Sequence, residues 1–394
     1  MDLLHHKPKS SKKSRSPVEQ TFKRKIKIVA TSDQHTGHNS TPTFKVLAAL
    51  DGAYRESVLI ETDIAVLSGD FFDHDLSMAQ PEVDLIYNWI FRFLTQCALH
   101  QVKVRVLEGT PSHDAKQPRW FVEIAQSHKI PVDLKYMSSL EIEYLPDYDM
   151  TILYIPDEYR PRCEDTKQEV IELMATKGLE QVDMAVMHGC FPHQFPKFLH
   201  SQIDSHDPDF YLSIVRQYIV IGHVHTFSQY RRILAPGSIE RTSHGQEEPK
   251  GHLVLDLDLD LDHPKRSKVE FIENRLAMRY VTFNLNDESV VQHHYRLNAL
   301  LNDLPAGSYV RLRGSVNHPF AASLKELKDT HSLFVWSFKK EDEENKVQEL
   351  TLDSVKEELK ALPSITPDNL FELIAQRVNH DPKVLEILKE CMNV

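Results

Sequence analysis

Six short runs constrain this chain most: KIKIVATS, DIAVLSGD, VKVRVLEG, MTILYIP, VDMAVMHG and YIVIGH, spread from residue 25 to residue 223. Each is almost unbroken Val, Ile, Leu and Met, without the polar alternation of a half-exposed strand. Such runs are strands buried on both faces. Between the second and third, PEVDLIYNWIFRFLTQCALH spaces Leu85, Ile86, Trp89, Ile90, Phe93 and Leu94 at i, i+3, i+4, with Pro81 near the start. That pattern predicts an amphipathic helix whose first turn tolerates proline. Strand, polar loop and helix in repetition predict a layered α/β core.

RRILAPGSIER and GHLVLDLDLDLD read as further strands around a PGS turn. The alternating Asp of LDLDLDLD are read as the polar face of an exposed strand rather than a cation site. The core therefore spans 25–267. From 268 the texture changes: RYVTFNL and SYVRLRGSV flank the helical QHHYRLNALLNDL, which predicts a small α+β module over 268–340. Beyond KKEDEENK, the tail (341–394) offers two short amphipathic helices. Thr366-Pro367-Asp368 opens one and Asp381-Pro382 the other. Helices this short must dock on the body or on a partner.

Charge is uneven along the 394 residues. Residues 1–27 hold nine Lys/Arg and two Asp/Glu, a net +7; the whole chain is −12, so the remainder carries −19. The arm over 1–24 reads as basic and disordered. A body this acidic does not grip polyanions by bulk charge, so a nucleic-acid substrate would need local patches, metal ions or a partner. No apolar run approaches the ~20 residues that cross a bilayer, and the N-terminus lacks the apolar stretch of a secretory signal. Cys97, Cys163, Cys190 and Cys391 are scattered without a CxxC pair. They are expected as free thiols in a reducing cytoplasm.

Histidines and carboxylates gather where the strand runs end. Asp33 and His35 follow the first (SDQH), Asp70 and Asp73 the second (GDFFD), and His113 and Asp114 the third (EGTPSHD). His188 sits in MHG, and His223 and His225 in GHVH. In open α/β sheets, ligands bind at the carboxyl ends of strands. A lone histidine there is ordinarily structural; five strand ends each delivering Asp or His point to a metal site. Mixed imidazole and carboxylate donors suit Mn²⁺, Fe or Zn²⁺ better than Ca²⁺ or Mg²⁺. His38, His74 and His193 lie nearby and are read as rim residues.

The order D-x-H, G-D-x-x-D, a G-N-H-D-like turn, H-G and G-H-x-H resembles the calcineurin-like metallophosphoesterases. PGS after GHVH, EPKGHLVLDLD, and a module plus tail after the core resemble more narrowly the SbcD-type nuclease subunits of SbcC–SbcD DNA-repair complexes, phage relatives included. The resemblance covers roughly residues 25–340 and is specific only at the motifs. It implies a β-sandwich flanked by helices, a small capping domain, and two divalent ions, Mn²⁺ by preference. Asp33, His35 and His225 would hold one ion, His188 and His223 the other, with Asp70 bridging. His113 would stabilise or protonate the leaving oxygen, with Asp73 orienting it. In EGTPSHD the family's metal-binding Asn is absent; Ser112 holds its register, with Thr110 or a water as alternatives.

The resemblance further implies a DNA exonuclease with single-strand endonuclease activity, Arg311 and Arg313 touching DNA, and an SbcC-like coiled-coil ATPase bound by the tail. A homodimer through the core and a bacterial or phage-infected cytoplasm complete the expectation. The competing readings are a small-molecule or protein phosphoesterase and a non-catalytic scaffold, the latter resting on the altered EGTPSHD turn alone.

Overall fold

A computed structural model describes residues 25–157, 160, 162–260 and 267–340. The basic arm (1–24) and the linker and tail helices (341–394) lie outside the described residues. In chain order the strands are β1 (Lys25–Thr31), β2 (Ile64–Ser68), β3 (Lys103–Leu107), β4 (Leu134–Met137), β5 (Glu141–Leu145), β6 (Met150–Ile155), β7 (Met184–His188), β8 (Ile219–Gly222), β9 (Ser228–Tyr230), β10 (Ile233–Ala235), β11 (Gly251–Asp258), β12 (Lys268–Glu273), β13 (Tyr280–Asn284), β14 (Tyr309–Gly314) and β15 (Val335–Lys340). The helices are α1 (Thr43–Ala53), α2 (Glu56–Leu59), α3 (Pro81–Leu99), α4 (Trp120–Ser127), α5 (Cys163–Thr176), α6 (Pro208–Ile214), α7 (Val290–Asn302) and α8 (Leu324–Thr330).

Two six-stranded sheets form the body, in the orders β12-β11-β1-β2-β3-β4 and β5-β6-β7-β8-β10-β9. β1 to β4 run parallel, as do β6 to β8, so their carboxyl ends share an edge within each sheet. The two-residue period of a strand sorts the side chains. Ile26, Ile28 and Ala30 of β1 and Leu253, Leu255 and Leu257 of β11 meet Met150, Ile152 and Tyr154 of β6 and Met184 and Val186 of β7 between the sheets. The alternate residues Val29, Ala65, Leu67, Val104 and Val106 face outward, against Leu50 of α1, Trp89 and Phe93 of α3 and Phe121 of α4. On the other side Leu153, Ile155, Ala185 and Met187 pack on Val170 of α5 and Tyr211 of α6. The result is helix, sheet, sheet, helix, which explains why the six runs are apolar on both faces.

Two local expectations change. The buried stripe of α3 is Val83, Ile86, Trp89, Ile90, Phe93, Leu94 and Cys97; Leu85 turns out to solvent, 47% exposed. β11 is an interior strand, paired with both β1 and β12, rather than an exposed one. Its leucines fill the inter-sheet core, while the Asp256 side chain stays 48% exposed.

The module from β13 to β15 has its own core of Phe283, Leu297, Leu301, Val310, Leu312, Phe320 and Trp336. Its three strands are all parallel, with α7 and α8 in the connections. Parallel neighbours require such crossovers, so the module alternates strand and helix instead of segregating them as α+β. Among the described residues no helix is long and apolar enough to cross a membrane.

One buried ion pair ties the sheets together. Arg105 of β3, 1% exposed, donates to both carboxylate oxygens of Glu143 on β5, at 2.8 and 3.0 Å. Tyr154 of β6 donates to the same carboxylate at 2.9 Å. Truncating one partner strands the other's buried charge, at a cost of about 3–5 kcal/mol. Arg105→Ala is therefore expected to lower the unfolding free energy by about that amount, measured by denaturant titration.

Candidate metal centre

The strand-end turns are bent sharply. Asp33, His35, Asp70 and His223 all have left-handed backbone, with φ of 51°, 49°, 51° and 97°. Non-glycine residues rarely adopt this conformation, and clusters of it mark functional sites. Hydrogen bonds hold the bends: Asp33 N donates to Gly69 O (3.1 Å), His35 N to Asp70 O (3.0 Å) and Thr36 N to Phe71 O (2.9 Å). Two glycines permit the approach of the turns. A Cβ on Gly69 would lie 2.2 Å from His188 Nδ1, and one on Gly109 would lie 2.1 Å from Asp70 N.

These bends gather the sequence-predicted residues into groups able to hold cations. Asp33, His35 and His225 form one, Asp70, His188 and His223 another, and His35, Asp70 and His113 join them, with candidate ligand atoms within 4.8 Å of one another in each. Asp70 is common to two of the groups; its Oδ2 is 3.3 Å from His188 Nε2 and 3.9 Å from His35 Nε2. The donors fit metal ions. Asp33 is 1% exposed, and its Oδ2 has no hydrogen-bond partner among the described residues. Nε2 of His35 and Nε2 of His225 converge to 2.9 Å. Buried polar atoms ordinarily find partners, and a cation would supply one to each of these.

Neighbouring groups aim the imidazoles. His188 Nδ1 donates to Ser68 O at 2.8 Å, which leaves Nε2 toward Asp70. His113 Nδ1 donates to Asp73 O at 2.6 Å. Asp73 thus orients His113 through its backbone carbonyl, whereas its carboxylate lies 3.3 Å from Nδ1 of His35 and 3.3 Å from Nδ1 of His74. The resemblance implied that Asp73 orients His113; here the backbone carbonyl makes that contact, and the carboxylate faces His35 and His74. Outer partners of this kind set the tautomer and basicity of a metal ligand. His223 N donates to Asp33 Oδ1 (2.8 Å), and the buried Lys250 ammonium to His225 O (2.8 Å).

Ser112 does not occupy the expected place. It is exposed, in the turn after β3, and Thr110 instead meets the second group. Thr110 N donates to Asp70 Oδ1 (2.5 Å), and its hydroxyl lies 3.2 Å from Asp70 Oδ2, 3.4 Å from His188 Nε2 and 3.4 Å from His223 Nδ1. Counting register back from His113 misleads here because His113 N and Asp114 N both bond Thr110 O, curling Ser112 outward. His38 caps its own turn, its Nδ1 accepting from Ser40 N and Thr41 N (3.1 Å each), and His193 stacks on Tyr230. Arg311 and Arg313 lie on β14 of the module, Arg313 opposite Lys339 in the register, and outside the His/Asp cluster.

Buried charges are mutually adjusted. Burial opposes ionisation of Asp70, but His188, His35 and His113 beside it hold its carboxyl well below the usual range. Burial likewise disfavours charge on His188, yet Asp70 and Asp33 push it up to about 10. Burial takes His225 down to about 4. Burial opposes charge on Asp73, while His35 and His38 hold it down to about 2.

No family model and no curated protein matches the chain. Among solved structures, the crystal structure of TT1561 of Thermus thermophilus is 13% identical, with a TM-score of 0.37 over 62% of this chain and 98% of that one. Another is 12% identical, with a TM-score of 0.38 over 63% of this chain and 99% of that one. Likenesses at these scores carry no assignment.

Two outcomes follow from the geometry. Thr110→Val is expected to lower occupancy of the group containing His188 and His223, and Ser112→Ala to leave it unchanged, read by metal content after dialysis. Because metal-free His188 carries a proton up to about 10, an ion must displace it. Metal affinity should therefore climb with pH, by roughly tenfold per unit for each proton released. Calorimetry in buffers of different ionisation enthalpy would count the protons.

Proposed function

We propose that this chain is a metal-dependent phosphoesterase and, more narrowly, a DNA nuclease of the SbcD type. The observation that carries the reading is Asp70, a buried carboxylate held between two His/Asp groups. Asp70 would be shared between two ions, which would bind the phosphate and supply hydroxide near neutral pH. Asp33, His35 and His225 would hold one ion; His188 and His223, with the Thr110 hydroxyl beside them, would hold the other. Mn²⁺ suits this donor set. His113, its Nδ1 committed to Asp73 O, keeps Nε2 for the leaving oxygen. A positioned acid of this kind contributes typically about 10²–10⁴-fold.

The nuclease reading rests on sequence resemblance and on the module. Arg311, Arg313 and Lys339 follow the same two-residue alternation of its parallel strands, opposite to the buried Val310 and Leu312 and the partly buried Phe338. That places cations together on a chain that is otherwise acidic, as backbone phosphate contact requires. An SbcC-like ATPase bound by residues 341–394, a homodimer and a cytoplasmic setting belong to the same proposal.

The test is incubation of the full chain with Mn²⁺, end-labelled duplex DNA and bis(p-nitrophenyl) phosphate, alongside His113→Ala and Asp70→Asn. Mn²⁺-dependent cleavage of both substrates is expected. His113→Ala should lose about 10²–10⁴ in kcat with its metal retained, and Asp70→Asn should lose metal. Hydrolysis of the nitrophenyl ester with intact DNA would favour a small phosphoester as substrate. Absence of both hydrolysis and bound metal would leave a scaffold, and the proposal would fail.

A further inference from the structure

Three imidazoles of the cluster are set for a metal by what stands behind them. His188 Nδ1 faces the Ser68 carbonyl at 2.8 Å, His113 Nδ1 the Asp73 carbonyl at 2.6 Å, and His35 Nδ1 the Asp73 carboxylate at 3.3 Å. Each of these partners is an acceptor. It draws the ring's one proton to Nδ1 and leaves the lone pair on Nε2. His225 is arranged the other way. Behind its Nδ1, at 3.3 Å, stands the side-chain amide nitrogen of Gln246, a donor. Neighbours other than His225 fix the orientation of that amide. Gln246 Oε1 accepts from Thr242 N at 3.1 Å, and Nε2 donates to Thr242 Oγ1 at 3.0 Å. Turning the amide over would set its nitrogen against the Thr242 N–H, donor against donor. The loop itself is held by the Arg241 guanidinium, which donates to the carbonyls of Gln246 (2.8 Å), Glu247 (3.3 Å) and Glu248 (2.9 Å).

Gln246 therefore donates, His225 Nδ1 accepts, and the one proton of the neutral ring sits on Nε2. That nitrogen lies 2.9 Å from His35 Nε2, whose lone pair receives the bond. It is also the His225 atom turned toward Asp33, with Oδ1 at 4.0 Å. The nitrogen that the Asp33, His35 and His225 group would offer an ion thus carries a hydrogen. We propose that Gln246 is a positioning residue that weakens this site. It holds His225 in the Nε2–H form, so an ion is bound only when the ring's proton moves from Nε2 to Nδ1 and the amide gives up its contact. The ring neither gains nor loses a proton in that exchange. At the group containing His188 and His223, Ser68 O already leaves His188 Nε2 free, so that group fills first and the Asp33 group is the one whose occupancy follows the supply of metal. The inference rests on the metal-binding part of the reading above.

The test begins with the full chain stripped of metal and its histidines labelled with ¹⁵N. Long-range ¹H–¹⁵N correlation, with the His225 signals assigned by their loss in His225→Asn, is expected to show Nε2–H in wild type. Gln246→Glu should show Nδ1–H, because its carboxylate accepts from both the ring and Thr242 N. Titration with Mn²⁺, followed by the paramagnetic resonance of the free ion, should give two steps of unequal affinity, and Asp33→Asn should remove the weaker. Gln246→Glu should tighten that step by about tenfold or more, the scale on which outer partners tune a metal ligand. Gln246→Met, which removes the donor without adding charge, should tighten it by a smaller factor. Both variants are checked for an unchanged melting temperature. A merely structural role would loosen the step in both and leave the ring's proton where it is. Nδ1–H in wild type, loss of the tighter step in Asp33→Asn, or a weaker step no tighter in Gln246→Met overturns the proposal. The first of these needs no Gln246 variant to fold. Two bound ions without hydrolysis of bis(p-nitrophenyl) phosphate would overturn the phosphoesterase reading and leave the role of Gln246 standing; a chain that binds no metal overturns both.

Discussion

The buried carboxyl group of Asp114 is the contact on which the geometry of the His/Asp cluster depends. It is fully buried and accepts from three backbone amides: Asp70 N (3.1 Å), Phe72 N (2.9 Å) and Gly109 N (2.7 Å). These join the turn after β2 to the turn after β3, the two segments that deliver Asp70, Asp73, Thr110 and His113. Burial and the Asp70 charge push Asp114 up to about 8, against amides that favour its ionised form. Each such hydrogen bond contributes about 0.5–1.5 kcal/mol net, enough for the three together to hold left-handed backbone at Asp70, which costs about 1–3 kcal/mol. Glu108 steadies the same turn from outside, accepting from Lys116 N at 2.7 Å and from the Tyr136 hydroxyl.

A second constraint is the density of buried charge. Asp33, Asp70 and Asp114 lie with His35 and His188 in a region almost free of solvent. Polar groups pay heavily for such burial unless they are paired. Without metal the pairing is partial: Asp70 with protonated His188, His35 with Asp73, and Asp33 through one oxygen only. Divalent ions would complete it, which is why the same residues that make the cluster costly also make it a good host.

The small module is coupled to this region. Tyr280 and Tyr309 stack at 4.5 Å, and both hydroxyls donate to Ser40 O, in the loop that leaves His35. Thr41 donates to Arg241 O at 2.9 Å, and Arg241 in turn bonds the carbonyls of Gln246 and Met278. The module's position is therefore felt at the β1 turn through hydrogen bonds rather than through a shared apolar core.

Much of this was legible in the residues themselves. Near-continuous apolar runs without polar alternation marked strands buried on both faces, and Asp or His at five of the run ends marked the candidate ligands, because residue type and strand termination are both local properties. Local rules could not tell which face of α3 carries Leu85, that β11 lies inside a sheet, or that the module's strands are parallel, since each depends on a partner distant in sequence. They could not choose between Thr110 and Ser112 either. The choice was made by the curl of the turn onto Asp114 and Asp70. Chemistry-bearing residue types were thus determined by sequence alone; which atom of each meets its neighbour was decided by tertiary structure, because hydrogen bonds between separate turns, not spacing within one, set the direction of a side chain.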